Sequence, residues 1–506
     1  MVLMFCLKEK SVRQPFTTPL VFFSLEFNRI DEAAYQALVA DAGLARYKVA
    51  LDRMRAMRPH QLSDELERFL HDQSVVGAAA WNRLFDETMA GLSFAVAGEA
   101  EPLNLESTLN LLSDPDRARR EAGARALAEV FGKNIKLFAR VHNTLAKEKA
   151  VEDKWRKMPS PQAGRHLSNH VEPEVVEALR NAVVAAYPKL SHRYYRLKAK
   201  WMGLDKLQVW DRNAPLPTEA TRTVGWDEAR ATVSGAYRDF SPALADLLVP
   251  FFDKGWIDAG VKPGKAPGAF AHPTVTDVHP YIMLNYLGKP RDVMTLAHEL
   301  GHGVHQVLAA PQGEMLANTP LTLAETASVF GEMLTFRALL ARAKDAKERK
   351  TLLAGKVEDM INTVVRQIAF YDFECKLHAA RAAGELTPED INALWMSVQG
   401  ESLGPAFEFM DGYETFWSYI PHFIHSPFYV YAYAFGDGLV NALYAAYEEG
   451  LPDFQAKYLD MLKAGGSQHH KDLLAPFGLD ASDPKFWDKG LSMIGAMIDE
   501  LERLDG

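Results

Sequence analysis

The stretch His298-Glu299-Leu300-Gly301-His302 places two imidazoles four residues apart, with a carboxylate directly after the first. If this stretch is helical, residues i and i+4 lie on one face, so both rings can reach a single metal ion. This HExxH pattern is typical of helices that bind zinc and activate water. The stretch therefore predicts zinc-assisted hydrolysis.

The residues around the HExxH stretch favour a helix. Pro290 precedes the run and Pro311 closes it, as expected at helix boundaries. The alternative is a surface helix with two solvated histidines. Apolar residues between these prolines recur with a period of about 3.6: Val293, Leu296, Leu300, Val304, Val307 and Leu308.

A catalytic zinc ion generally has three protein ligands and leaves its fourth position to water. His305 lies on the same predicted helix face as His298. At a rise of about 1.5 Å per residue, however, the two lie about 10 Å apart along the helix axis, too far to share the ion. The third ligand must therefore come from another segment.

The run from Leu321 to Glu332 follows a break at Pro311-Gln312-Gly313 and reads as a second helix. Glu325 and Glu332 are seven residues apart, so they would share one face of that helix. This spacing suits a metal ligand followed two turns later by an acceptor for a ligand imidazole. We predict Glu325 as the third ligand and Glu332 as its supporting residue; the alternative for Glu325 is an ordinary acid near a helix N-terminus.

The sequence from His298 to His305, followed by Glu325-Thr326-Ala327-Ser328 and Glu332, resembles the M3 family of zinc metallopeptidases. It is more similar to the oligoendopeptidase F branch than to the thimet oligopeptidase branch. The resemblance covers most of the chain from about residue 25. It implies an almost wholly helical, two-lobed fold with a deep central groove, one zinc ion per chain and short oligopeptide substrates. Three further stretches carry it: Pro267-Gly268-Ala269-Phe270, His279-Pro280-Tyr281 with Leu284-Asn285-Tyr286, and Ile420 to Tyr433.

The residue types also predict a mechanism. Zinc lowers the pKa of its bound water from about 15.7 to about 7. Glu299 is placed to take that proton as general base and to pass it to the leaving amine. Negative charge then gathers on the scissile carbonyl oxygen and needs neutral hydrogen-bond donors nearby.

The resemblance implies that a histidine and one or two tyrosines near the C-terminus supply these donors. The best matches are His422, Tyr429 and Tyr433. Tyr429 and Tyr433 would align on one helical face, with Tyr431 turned away, while His425 enters with His422 from the preceding turn. Phenol groups donate hydrogen bonds without titrating near neutral pH. Tyr431 stays open as an alternative to either tyrosine, as does a purely structural aromatic helix.

Residues 264–286 are rich in turn formers and then extended, and Tyr281 to Tyr286 reads as a short strand. We expect an edge strand beside the zinc helix, which could pair with a substrate backbone and impose little sequence preference. His279 and Tyr281 are predicted to contact substrate. The alternative for His279 is a plain turn residue before a proline.

Composition agrees with a mainly α, soluble globular protein. The chain has 506 residues, of which 48% are hydrophobic and 24% charged, and helix-forming residues dominate 114–150 and 171–200. The net charge of -10, without a basic stripe, argues against nucleic acid as a partner. Two cysteines, Cys6 and Cys375, cannot form a disulfide framework, which favours a reducing compartment.

No stretch reaches the roughly 18 uncharged apolar residues that a membrane span needs. The segment Met1 to Leu7 is apolar but short and lacks a preceding basic region, so it is a poor signal peptide. We therefore expect a cytoplasmic protein without membrane contact. The oligomeric state stays open.

We expect two regions, an N-terminal helical lobe over residues 1–110 and a catalytic region over residues 111–506. The oligoendopeptidase F branch usually begins with a longer helical region than the roughly 25 residues before Leu25. A truncated chain and a misplaced start are both open. Two other functions also remain open: a zinc exopeptidase of the HExxH class, which would need a group that recognises a free terminus, and an inactive helical scaffold that binds peptides.

Overall fold

The computed structural model describes residues 20–216, 223–262, 265 and 268–505. Within these ranges the protein is mainly helical, which confirms the fold class predicted from the sequence. None of the described helices combines the length and the apolar character needed to cross a lipid bilayer. The apolar segment from Met1 to Leu7, Gly264 and Pro267 lie outside the described residues.

The N-terminal half is built from helices and ends in a two-residue strand, β1 (Leu207–Gln208). The longest helix has 40 residues and starts after Asp116, whose carboxylate accepts a hydrogen bond from the backbone N–H of Ala118. The helices are α1 (Val21–Arg29), α2 (Glu32–Ala40), α3 (Lys48–Arg55), α4 (Asp64–Gln73), α5 (Ala78–Gly91), α6 (Leu105–Asn110), α7 (Arg117–Arg156), α8 (Ala163–Asn169), α9 (Pro173–Ala186) and α10 (Ser191–Met202).

The second half adds four short strands and a further set of helices. The strands are β2 (Ile257–Asp258), β3 (Phe270–His272), β4 (Tyr281–Met283) and β5 (Phe407–Glu408). The helices are α11 (Trp226–Phe240), α12 (Pro242–Asp246), α13 (Val249–Asp253), α14 (Pro290–Ala309), α15 (Leu321–Ala324), α16 (Ser328–Ala341), α17 (Ala346–Thr363), α18 (Val365–Ala383), α19 (Pro388–Leu403), α20 (His422–His425), α21 (Tyr431–Glu448), α22 (Phe454–Ala464), α23 (His470–Leu474) and α24 (Pro484–Asp505).

Helix α14 carries the HExxH stretch, as predicted. It begins with Pro290, whose fixed φ suits the first helical position and whose missing N–H needs no partner there. The side chain of Asp292 accepts the backbone N–H groups of Leu287 and Lys289, at 2.8 and 3.0 Å, and so closes the helix start. Val293, Leu296, Leu300 and Val304 of the predicted apolar face are buried, Val307 and Leu308 are half-buried, and α14 packs mainly against α16.

The predicted second helix is in fact two, which corrects the expectation that Glu325 and Glu332 share one face. Helix α15 ends at Ala324, α16 begins at Ser328, and Glu325 lies in the turn between them. This turn crosses α14 at Gly301. A Cβ added to Gly301 would lie 2.4 Å from the carbonyl oxygen of Ala327 and 2.6 Å from the Cα of Ser328, so the two backbones touch.

A three-stranded sheet with the order β2-β4-β3 lies beside α14. Strand β2 runs parallel to β4, and β3 runs antiparallel to it, with Ala271 opposite Ile282. This corrects our expectation of an edge strand from Tyr281 to Tyr286, because the strand stops at Met283 and is central. Ile282 is buried there, as a central strand requires, and the edge beside α14 is β3, where Gln306 Nε2 donates to the carbonyl oxygen of Ala271 at 3.3 Å. Strands β1 and β5 form a separate parallel pair.

We predict that Gly301→Ala destabilises the protein by about 1–3 kcal/mol, because the methyl group has no room and the turn must shift. Gly132→Ala is the matched control. Gly132 lies in α7 with nothing within 4 Å of an added Cβ, so this change should stabilise by about 0.5–1 kcal/mol. Denaturant unfolding followed by circular dichroism compares the variants; a Gly301→Ala protein as stable as the unaltered chain would contradict the close crossing.

Candidate metal centre

Two imidazoles and one carboxylate converge where α14 crosses the turn after α15. The ring centroids of His298 and His302 are 4.9 Å apart. Glu325 Oε2 lies 3.4 Å from His298 Nε2 and 3.5 Å from His302 Nε2. Ligands bound at about 2.0–2.1 Å around a tetrahedral ion lie about 3.3 Å from one another. The three predicted ligands therefore have the donor types and the separations that a zinc ion requires.

The ligand group faces solvent on one side. The side chains of His298, His302 and Glu325 are 27%, 21% and 27% exposed. The hydroxyl of Ser328 donates to Glu325 Oε2 at 2.6 Å and holds that carboxylate toward the rings. Ser328 thus holds the group on its protein-facing side, and the solvent-facing side leaves space for a further ligand or a substrate.

Glu332, the predicted supporting residue, lies in α16 beside His298. Its Oε2 lies 3.3 Å from His298 Nδ1, and its Oε1 accepts from the buried Lys356 Nζ at 2.5 Å. Burial opposes ionisation of Glu332, but the charge of Lys356 and the contact with His298 hold its pKa at about 2. A charged Glu332 accepts the Nδ1–H of His298 and leaves Nε2 free to bind a metal ion.

Glu299 is buried beside the ligand group, at 6% exposure. Its Oε2 has no hydrogen-bond partner among the described residues. Burial and the negative charge of Glu325 raise the pKa of Glu299 to about 7, against the opposing influence of His298 and a hydrogen bond from the Ala271 backbone. A carboxylate with such a pKa can accept and release a proton near neutral pH.

The predicted donors gather near Glu325, whose charge influences the pKa values of Tyr429 and Tyr433. The His422 Nε2 and Tyr433 hydroxyl atoms are 3.1 Å apart, and the Tyr429 and Tyr433 ring centroids are 5.3 Å apart. Tyr429 precedes α21, so the two tyrosines do not share a helix, which corrects that expectation. One turn after Tyr433, a Cβ on Gly436 would lie 2.9 Å from the Cβ of Glu325, which shows that α21 packs directly against that ligand.

Tyr431 and His425 face other parts of the protein. Tyr431 is fully buried, and its hydroxyl accepts from Asn169 Nδ2 at 2.9 Å and contacts His166 Nδ1 at 3.1 Å. His425 Nε2 lies 2.8 Å from an oxygen of Asp86. The structure thus groups Tyr429 and Tyr433, rather than Tyr431, with His422.

The turn before Tyr429 is held by Phe428, Glu374 and Arg165, none of which we predicted as a site residue from the sequence. Phe428 has a φ of 58°, which is strained for a bulky side chain, and its ring is fully buried. Its backbone N–H donates to Glu374 Oε1 at 2.8 Å, and burial raises the pKa of Glu374 to about 8. Arg165 Nε donates to the carbonyl oxygen of Pro427 at 3.1 Å. Glu374 and Arg165 belong to helices remote in sequence, so no local pattern could have identified them.

The remaining predicted residues lie outside the ligand group that the described residues form. The His279 ring stacks on Trp256 at 3.9 Å between centroids, and Tyr281 is 51% exposed at the start of β4. His305 is buried and does not belong to the group of converging ligand atoms, as its spacing predicted. The contact of His279 and Tyr281 with substrate stays a prediction.

A second group of possible ligand atoms consists of Glu172, His469 and His470. Here the carboxylate of Glu172 is already occupied. Lys471 Nζ lies 2.7 Å from its Oε1 and His470 Nε2 lies 2.8 Å from its Oε2. We interpret this group as an ion-pair cluster that joins α9 to α23.

Comparison with known proteins agrees with this geometry. The sequence model described as Peptidase family M3 matches residues 245–493, and the model described as Oligopeptidase F matches residues 26–94. The chain belongs to peptidase family M3. Its branch is that of oligopeptidase F, so it is a metalloendopeptidase, and the resemblance drawn from the motifs is confirmed. Membership of M3 implies zinc as the metal.

This M3 chain is similar to relatives along nearly its whole length. It is 27% identical to the group B oligopeptidase PepB of Streptococcus agalactiae over 98% of this chain and 83% of that protein. It is also 27% identical to the oligopeptidase PepF of Bacillus subtilis over 94% of this chain and 71% of that one. Its fold matches the crystal structure of oligoendopeptidase-F from Enterococcus faecium with a TM-score of 0.78 and 24% identity, covering 97% of this chain and 84% of that chain.

We predict that the double change Glu332→Leu with Lys356→Met weakens zinc binding by about 10–100-fold, because His298 loses the acceptor that orients it. Removing both charges avoids leaving either one buried and unpaired. The matched control is Glu67→Leu with Arg156→Met, a pair joined at 2.7 Å in another part of the fold. Competition with a chelator measures zinc affinity. Equal zinc affinity in the two double variants would show that Glu332 does not support the binding of zinc by His298.

Proposed function

We propose that this M3 peptidase hydrolyses internal bonds of short oligopeptides, with one zinc ion held by His298, His302 and Glu325. The observation that carries the proposal is the convergence of these three ligand atoms beside the buried carboxylate of Glu299. When bound, zinc supplies Lewis acidity, which makes water acidic enough to act as a nucleophile near neutral pH. The remaining steps fall to side chains of this protein.

Glu299 serves as the general base. It takes a proton from the attacking water and gives it to the leaving nitrogen as the peptide bond breaks. Two features support this role: its Oε2 has no partner among the described residues, and its pKa lies near neutrality. Its place directly after His298 keeps it next to the ligands throughout.

His422, Tyr429 and Tyr433 donate hydrogen bonds to the carbonyl oxygen as negative charge develops on it. Burial raises the pKa of both tyrosine hydroxyls, so they remain protonated donors at neutral pH. Burial lowers the pKa of His422, so a neutral imidazole sits beside the Tyr433 hydroxyl. The strained turn at Phe428 positions Tyr429 for this contact.

Strand β3 supports peptide binding by strand addition. It is the sheet edge beside α14, and the Ala271 backbone already reaches Glu299. A substrate paired with this edge would replace the Gln306 side chain at the Ala271 carbonyl and would be held by main-chain hydrogen bonds, which tolerate many side chains. Phe270 and Tyr281, which are 49% and 51% exposed, would add apolar contacts, and His279 would hold the position of Tyr281 through their ring contact.

The proposed base is tested by Glu299→Gln. We expect this variant to keep one zinc ion per chain and to lose peptide hydrolysis by about 10²–10⁴-fold, because the ligands remain while the proton carrier is gone. Glu385→Gln is the control, since Glu385 is an exposed acid paired with Arg140 at 2.5 Å, and it should leave turnover unchanged. Metal analysis and cleavage of a quenched fluorescent peptide give the two readouts.

Full turnover in Glu299→Gln would refute the assigned base. Peptides with blocked and free termini separate the endopeptidase from the exopeptidase. We expect blocked peptides to be cut at internal bonds, whereas cleavage confined to one terminal residue would contradict the proposed specificity. An unaltered chain that binds zinc and cuts no peptide would instead indicate a peptide-binding scaffold.

The donors are tested by Tyr433→Phe, which we expect to lower kcat by about 10²–10³-fold with little change in KM. Tyr431→Phe is matched in chemistry, but its hydroxyl bonds Asn169 away from the ligands. It should therefore lower the melting temperature and keep kcat. The reverse pattern would assign the donor role to Tyr431.

A further inference from the structure

A small cavity with several polar side chains in its lining lies outside the metal centre. It is enclosed by the 3-10 helices Val209–Asp211 and Tyr413–Tyr419 together with α18 and α19. Its volume is about 20 Å³, which is room for about one or two water-sized species. The polar side chains that line it are Trp210, Arg212, Arg366, Trp395, Tyr413 and Tyr419.

Two guanidinium groups in this lining lack an acidic partner. Across the described residues, no carboxylate pairs with Arg212 or Arg366, and the neighbours that influence their pKa values are tyrosines and, for Arg366, Arg212 itself. The Nε atoms of both are buried without a hydrogen-bond partner there. Their polar partners are neutral hydroxyls, Tyr419 at 3.3 Å from Arg366 Nη2 and Tyr413 for Arg212, and the Arg366 guanidinium also lies 5.0 Å from the centroid of the Phe370 ring.

The fully buried cations among the described residues are neutralised by acids, whereas Arg212 and Arg366 are half-buried side chains whose Nε atoms are shielded from solvent. Lys198 pairs with Glu358, Lys356 with Glu332, and Arg120 with Asp211. A buried charge without a partner is costly, because it loses hydration and gains nothing in return. Arg212 and Arg366 are partly shielded from water, and two such charges facing one cavity favour a compensating negative charge.

Arg366 lies close to Arg212 at a junction of two helices. It is the second residue of α18, and only Val364 separates α18 from the end of α17. Burial and the charge of Arg212 lower the pKa of Arg366, against the opposing influence of Tyr419 and Tyr413.

The neutral groups of the lining also need an acceptor. Trp210 and Trp395 are 4% and 2% exposed, and neither indole N–H has a partner among the described residues. Tyr413 already donates its hydroxyl hydrogen to Gln399 Oε1 at 2.9 Å. Each buried, unsatisfied polar atom of the lining is thus an N–H group, and indole and guanidinium groups cannot accept.

We propose that this cavity binds one small monatomic anion of the size of chloride, held between Arg212 and Arg366 and by the indole N–H groups. A water molecule could accept hydrogen bonds but would leave both charges uncompensated. The carboxylate end of a peptide is too large for the cavity. The 3-10 helix that lines the cavity ends at Tyr419, three residues before His422. A bound anion would therefore stabilise the start of the segment that carries His422 and Tyr429.

Bromide replaces chloride and is located by its anomalous X-ray scattering, so crystals of the unaltered chain in sodium bromide provide the direct test. We expect an anomalous peak inside the cavity, in contact with both guanidinium groups. Peaks on the surface only, which means an adventitious ion only, would overturn the proposal. Ordered water in the cavity without bromide would overturn it as well.

Melting temperatures provide a test in solution. Sodium chloride is compared with sodium gluconate at equal ionic strength, because gluconate is too large for the cavity. We expect chloride to raise the melting temperature to a plateau, and Arg366→Gln to abolish this response. Arg140→Gln, at an exposed arginine paired with Glu385, should keep it. Equal melting temperatures of the unaltered chain in both salts, or an undiminished response in Arg366→Gln, would overturn the proposal.

Discussion

The backbone contact between Gly301 and the Ala327–Ser328 turn is the constraint on which the rest of the site depends. It breaks the second helix at Glu325 and brings that carboxylate within 3.5 Å of both imidazoles. Any side chain at position 301 would separate the two backbones and move the third ligand outward. A Cβ at Gly436 would lie 2.9 Å from the Cβ of Glu325, so α21 also packs closely against this residue.

Three neighbouring acids acquire different properties from their surroundings. Lys356 and His298 keep Glu332 ionised, whereas burial raises the pKa of Glu299 to about 7. Glu325 is fixed by Ser328 and points at the two rings. One carboxylate can thus orient a ligand, one can bind a metal ion and one can carry a proton, although all three have the same chemistry in isolation.

The parts of the site that depend on local spacing could be predicted from the sequence. The helix around His298 and His302 and the mainly helical fold are confirmed. The structure also brings Glu325 beside the two imidazoles, and its role as a metal ligand stays a prediction. The single helix through Glu325 was wrong, because periodicity does not reveal a tertiary crossing at a glycine. The edge strand was misplaced since three-residue strands have too little pattern to fix their order. Lys356, Glu374 and Arg165 could not be found, because their partners are distant in sequence.

The central claim is that His298, His302 and Glu325 hold one zinc ion, and anomalous diffraction at the zinc absorption edge from zinc-loaded crystals tests it most directly. The account predicts one peak per chain, about 2.0–2.2 Å from the two Nε2 atoms and a carboxylate oxygen of Glu325. A peak at Glu172, His469 and His470 instead, or a zinc ion bound without Glu325, would contradict it.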